Sequence, residues 1–355
     1  MSLSESPQVG RNVGQAHGWK RVAGRVLRYC LPFVLGGVIL YWMYHDLDWA
    51  TFAGALRQTR WFWLILSFVP GIVAQMLRGM RWQLALRPLG ERPALGDCIW
   101  AVFMSYGVSL VVPRMGEVAR CGILRRYDGT NFARSLGTVV TERLVDIVVL
   151  LVLIGIVFLV QIPVITKVLS ITGVSVDGLT DRLTGLGLWI VVGVLVVVVA
   201  GFGFYAARKR LGRGLREGLR RLGEGLLSLR RVNLPVYMCY AVGTWLCYFL
   251  HYYLTFWCFD FTEQLGVMAA LVSFCVGTIA VILPTPNGAG PWHFAVTTVL
   301  VLYGVAAKDA ALFALIIHLV QTMLLIVLAA FGWFCFLTRK HARALEGEPD
   351  GEVDR

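Results

Sequence analysis

The stretch Leu283-Pro-Thr-Pro-Asn-Gly-Ala-Gly-Pro-Trp-His293 interrupts an apolar run that reaches from about 265 to 305. Three prolines and two glycines within it exclude a helix interior, because each proline removes a backbone donor and clashes with the preceding turn. In hydrocarbon a broken helix exposes amide groups that must be covered by protein or by a water-filled cavity. Two readings stand. The break joins a pair of half-helices around a polar site near mid-membrane, as in transporters built from inverted repeats, or it is a loop outside the membrane between two ordinary spans. Charge placement along the rest of the chain decides.

Composition sets the frame. The 355 residues are 57% hydrophobic and 15% charged, with a mean hydropathy of +0.70, more apolar surface than a soluble core buries. The net charge of +12 comes from short basic clusters beside apolar runs, which is the positive-inside pattern and not a nucleic-acid footprint. Eight cysteines show no C-x-x-C spacing, so neither a metal site nor a disulfide framework is expected. The first apolar run follows a polar, basic leader and ends without a small-residue cleavage site, so no cleaved signal peptide is expected.

Taken in order, residues 1–28 form a cytoplasmic basic leader, 29–44 cross outward, and 61–75 and beyond return, with Trp61, Phe62 and Trp63 as an aromatic belt. The run 94–112 has arginines on both flanks. Arg78, Arg81, Arg87 and Arg92 precede it; Arg114, Arg120, Arg125, Arg126 and Arg134 follow. A true crossing strands the second group outside, whereas a re-entrant hairpin that breaks at 113–116 and returns through 117–126 keeps it inside. A helix from near Asn131 then crosses outward through 144–160, a sparse outer loop covers 161–187, and 188–206 cross inward. The basic segment 208–231 reads equally as an amphipathic helix on the inner leaflet or as a solvated connector.

After 234–256 cross outward, the final span 310–337 must finish inside, because Arg339, Lys340 and Arg343 follow it. The run 265–305 therefore begins and ends outside, a second re-entrant hairpin entered from the opposite face. The expected fold is an all-α polytopic membrane protein with about six full spans and two re-entrant helical hairpins, arranged as a four-plus-four inverted repeat. Repeat one covers about 29–162 and repeat two about 188–337 of a single membrane domain, 29–337; an acidic cytoplasmic tail, 338–355, follows.

Ionisable residues inside spans are expensive and default to functional candidates. Arg78 and Arg81 lie near a cytoplasmic end, as topology anchors or headgroup ligands. Arg114, Glu117 and Arg120 flank the first break at spacings of three, so they share one helical face and leave one arginine for a phosphate. Glu142 and Asp146 stand one turn apart beside Arg143, placed for salt bridges to a hairpin arginine. Asn287, Gly288 and Gly290 lie in the second break and His293 just past it, with His318 and Gln321 on the last span. The two histidines read as packing residues or as proton carriers, and His251 as structural.

Four motifs bring a resemblance: Arg81-Trp82; Pro113-Arg-Met-Gly116-Glu117 with Arg120; Thr141-Glu142-Arg143 with Asp146; and Pro284-Thr-Pro-Asn-Gly-Ala-Gly290. Over about 29–337 the chain resembles the flippase-like membrane domain of bacterial lysylphosphatidylglycerol synthases and its stand-alone relatives. The resemblance implies a hairpin fold of the kind outlined above and a domain that binds phospholipids or other lipid-linked polar groups and moves them between leaflets. Asn287 stands where the family often has glycine, Trp292-His293 where many members have glutamate, and His318 in place of a common arginine. No soluble aminoacyl-transferring segment follows, so a complete synthase is not expected.

The function expected is a lipid transporter or flippase of the bacterial inner membrane, not an enzyme, with both termini cytoplasmic. Its substrate is an anionic or lipid-linked headgroup bound between the opposed hairpins. No nucleotide-binding loop, metal or cofactor is expected, so movement is passive, ion-coupled or tied to a partner enzyme or a homodimer. Two alternatives remain: a membrane-embedded enzyme with His293 or His318 as general base oriented by Glu142 or Asp146, and a non-transporting scaffold.

Overall fold

The computed structural model describes residues 33–45, 48–113, 115–171, 231–283 and 285–345. Expectations for the leader, the span 188–206, the basic segment up to 230, Arg114, Pro284 and the end of the tail lie outside the described residues. The described chain is helical without a strand. Helix α1 is Phe33–Tyr44, α2 Trp49–Gln58, α3 Trp61–Leu86, α4 Leu95–Val111, α5 Gly116–Asp128 and α6 Phe132–Ile171. After the gap follow α7 Leu234–Tyr253, a 3-10 turn Leu254–Cys258, one helical turn Asp260–Glu263, then α8 Gly266–Ala280, α9 Pro291–Leu302 and α10 Ala307–Leu345.

Trp61–Leu89 and Ala307–Arg339 are long and apolar enough to cross a bilayer. Helix α6 has 40 residues, which at about 1.5 Å per residue is long enough to cross as well. Asn131 starts it by accepting from the backbone N–H groups of Ala133 and Arg134 at 3.1 and 3.2 Å. The outer loop expected from 161 does not begin there, because α6 remains helical to Ile171 as the apolar sequence continues past Gln161. Val148, Val152 and Ile156 recur every fourth residue on α6 and are more than half or half exposed, as are Val327, Phe331 and Phe334 on α10. Such apolar faces are stable against lipid and not against water.

Both interrupted runs fold as helical hairpins. In the first, α4 and α5 pack so closely that a Cβ on Gly116 would lie 2.2 Å from the Ser105 carbonyl oxygen; only glycine fits that turn. The open end of this hairpin is fixed by Arg339 of α10, which contacts Asp97 at the start of α4 and reaches Asp128 at the end of α5 at 3.3 Å. In the second, α8 and α9 pack through Gly277 against Trp292 and Val296. The break between them contains Asn287 at φ 51° and Gly290 at φ 90°, left-handed geometry that asparagine tolerates and glycine favours. The second arm leads through Tyr303-Gly304 directly into Ala307, the opposite end of α10 from Arg339. The two hairpins thus open toward opposite ends of one long helix, and α4 reaches the turn Pro286–Gly288 of the other hairpin.

The halves correspond element by element: long helix, hairpin, long helix, as α3, α4–α5, α6 and as α7, α8–α9, α10. Helix α3 runs antiparallel to α7, since the Arg60 amide donates to the Cys258 carbonyl at 3.0 Å where α3 begins and α7 has just ended. The closing helix of each half packs on the hairpin of the other, α10 on α4 and α6 on α8. Phe103 lies against Phe331 and Trp100 against Phe336, which gives α4 and α10 opposite directions.

Candidate functional site

Helices α3, α5 and α6 converge on a buried network of charges. Arg78 and Arg81 sit one turn apart on α3, Glu117 and Arg120 one turn apart on α5, and Glu142, Arg143 and Asp146 on one turn of α6. Glu142, 1% exposed, lies at the centre. It receives Arg78 Nε at 3.2 Å, Arg120 Nη2 at 3.1 Å and Arg143 Nη2 at 2.9 Å, and Arg81 Nη2 stands 3.2 Å away. Glu117 accepts from Arg120 at 2.7 Å and from Arg78 at 3.2 Å, and Asp146 from Arg81 at 2.8 Å. Arg81 and Arg120 are wholly buried. Desolvating them costs several kcal/mol per ion, roughly, and is tolerated because each faces a carboxylate. Arg120 Nε and Nη1 have no hydrogen-bond partner among the described residues, but the guanidinium lies 4.7 Å from the Trp82 ring centroid, a cation–π contact that offsets part of the loss. Among the described residues four arginines meet three carboxylates, leaving one positive charge in excess.

This network forms one wall of a cavity of about 300 Å³. Arg78, Arg143 and Asp146 line it on one side; Trp245, Tyr248, His251 and Tyr252 of α7, Phe274, Thr278 and Val281 at the second hairpin, Trp292 of α9 and Gln321 of α10 complete it. The Arg143 side chain is 41% exposed, the most open of the four arginines. Arg78 Nη1 also donates to the Tyr106 hydroxyl, which donates in turn to Gln75 at 2.6 Å. Trp245 Nε1 lies 3.4 Å from the Asp146 carboxylate and sets its orientation. His251 Nδ1 lies 2.6 Å from the Ser67 carbonyl of α3.

The sequence-derived candidates therefore fall into two places. Arg78, Arg81, Glu117, Arg120, Glu142, Arg143 and Asp146 join in the network, and Gln321 faces it across the cavity. Asn287, Gly288, Gly290, His293 and His318 form a second polar cluster behind Trp292. Asn287 Nδ2 donates to Thr322 Oγ1 at 2.8 Å, the Gly290 amide to His293 Nδ1 at 3.3 Å, and the two histidine rings are 4.5 Å apart. His293 is buried beneath Tyr44 of α1, ring centroids 5.8 Å apart, and neither histidine lines the cavity.

A sequence reading by charge alone passes over Gln75, Tyr106, Trp245, Tyr248 and Trp292. Spacing held the signal: Gln75 lies one turn before Arg78, and Trp245, Tyr248 and Tyr252 recur at three and four on α7.

Against known families, the description "Lysylphosphatidylglycerol synthase TM region" matches residues 29–329. The chain belongs to this family. It is a membrane protein of the lysylphosphatidylglycerol synthase transmembrane-region family, and the match takes in both hairpins and the whole charge network. Glycosyltransferase AglD of Haloferax volcanii is 27% identical to it over 291 residues, covering 72% of this chain and 46% of that protein. The chain thus spans about half the length of the curated relative it matches. No solved structure matches.

Proposed function

We propose that this member of the family binds the phosphate of a membrane lipid at Arg143 and Arg78 and moves the lipid between leaflets, with the two hairpins re-entrant from opposite faces of the membrane. The observation that carries the reading is the cavity: Arg78 and Arg143, members of a network with one excess positive charge among the described residues, face an aromatic wall and the second hairpin, while Glu117 and Arg120 of the first hairpin join that network away from the cavity. A monoanionic phosphate neutralises that charge through charge-assisted hydrogen bonds. A site lined by both of two oppositely directed halves is the arrangement that alternating access requires. The basic residues around the open end of the first hairpin support a cytoplasmic location of that end, and of both termini, in a bacterial inner membrane.

Transport is favoured over catalysis because, among the described residues, the carboxylates at the cavity are engaged with arginines and His251 with a backbone carbonyl. The experiment is native mass spectrometry of the purified protein incubated with phosphatidylglycerol, followed by analysis of the recovered lipid. The expected result is one bound lipid, chemically unchanged. A modified headgroup would establish instead the enzyme reading that the glycosyltransferase relative suggests.

A further inference from the structure

The side of the cavity away from the arginines has its own chemistry. Trp245 and Trp292 present indole surface from α7 and α9, and Gln321 of α10 contributes an amide that makes no hydrogen bond to another described residue. A side-chain amide offers two donors and an acceptor, and one left without partners in a protein cavity is placed for a ligand. Asp146 is only partly used: Oδ1 accepts from Arg81 and Trp245 and Oδ2 faces Arg143 at 3.4 Å, so a lone pair remains for a hydroxyl.

Indole faces and a carboxylate also suit an organic cation. Charge decides against one: Arg78 and Arg143 line the same cavity of about 300 Å³, and the network already carries an excess positive charge. A headgroup ammonium would sit within a few ångströms of two guanidiniums. A neutral ring bearing hydroxyls meets no such repulsion. Its hydroxyls pair with the Asp146 carboxylate and the Gln321 amide, and its weakly positive C–H face rests on the electron-rich indole. The cavity volume is at the lower end for small-molecule sites and suits one ring with its phosphate, not an oligosaccharide.

We infer that the headgroup taken up here is a single neutral, hydroxylated six-membered ring attached to a lipid phosphate, with the phosphate on Arg143 and Arg78 and the ring against Trp245 and Trp292. The inference rests on the phosphate-binding reading above. An inositol phospholipid and a polyprenyl phosphohexose share this chemistry, and the experiment separates them.

The protein in nanodiscs is titrated separately with phosphatidylinositol, a polyprenyl phosphohexose, phosphatidic acid and phosphatidylethanolamine, with binding read by tryptophan fluorescence and native mass spectrometry. The expected result is that at least one ring-bearing lipid binds roughly tenfold or more tightly than phosphatidic acid, the effect of one or two net hydrogen bonds. Which ring lipid binds identifies the source. In Gln321→Leu, and independently in Trp245→Leu, the ratio to phosphatidic acid falls toward one. Equal binding of phosphatidic acid and both ring lipids overturns the ring inference and leaves the phosphate site standing, as does an unchanged ratio in both variants. Preference for phosphatidylethanolamine overturns it in favour of a cation. Binding of none of the four removes the phosphate reading along with it.

Discussion

Arg120 of α5 and Glu142 of α6 meet at 3.1 Å, the arginine fully buried and the glutamate 1% exposed. This contact ties the returning arm of the first hairpin to the helix that follows it, and Glu142 carries it while also facing Arg78, Arg81 and Arg143. One carboxylate thus holds three helices' charges together. Removing it leaves arginines facing one another without water.

Glu142→Gln is therefore expected to destabilise the fold by about 3–5 kcal/mol, the range for breaking a buried ion pair from one side. Glu117→Gln, whose side chain is 32% exposed, should cost clearly less, because water and lipid headgroups can replace its contacts. Thermal unfolding of both variants in one detergent measures the difference; equal losses would mean that Glu142 is not the centre of the network.

Arg339 makes a separate prediction. It grips Asp97 and Asp128, the two ends of the first hairpin, so Arg339→Ala should speed amide exchange at the start of α4 and the end of α5. The second hairpin makes none of these contacts and should keep its exchange rates. Hydrogen exchange read by mass spectrometry reports both segments in one experiment.

The opposed hairpins can be checked from outside the cell. Arg126 at the open end of the first hairpin and Asp260 just before the second are both exposed. Single cysteines at these positions, in a cysteine-free background, should label from opposite sides with an impermeant reagent, Asp260→Cys from outside and Arg126→Cys only after permeabilisation. Labelling of both from outside would make the first hairpin a full span.

Much of this architecture was legible because charge asymmetry acts on whole segments. The arginines flanking 94–112 favoured a hairpin over a crossing, and the structure packs 95–111 against 116–128, while the Pro-Gly content of 283–293 required the second break. The association of Glu142 with Arg120 was also within reach, since unpaired charges in apolar helices need partners. The partition of candidates was not. His293 and His318 read as packing residues or proton carriers beside the break, and the structure sets them together next to Trp292, outside the lining of the cavity, a placement that composition does not encode. The aromatic wall was missed for a different reason: Trp and Tyr in apolar helices look like packing until the helix opposite them is known to carry arginines.

The most direct test of the phosphate site compares lipid movement in proteoliposomes made with the native protein, Arg143→Ala and Arg60→Ala. Arg143 lines the cavity, whereas Arg60 is paired with Asp260 and Glu263 at the surface. A charge-assisted bond to phosphate contributes about 1.5–3 kcal/mol, so the cavity variant should lose at least roughly tenfold in apparent lipid affinity. Arg60→Ala should match the native protein. Equal behaviour of the two variants, or undiminished transport by Arg143→Ala, would contradict a lipid phosphate bound at this wall.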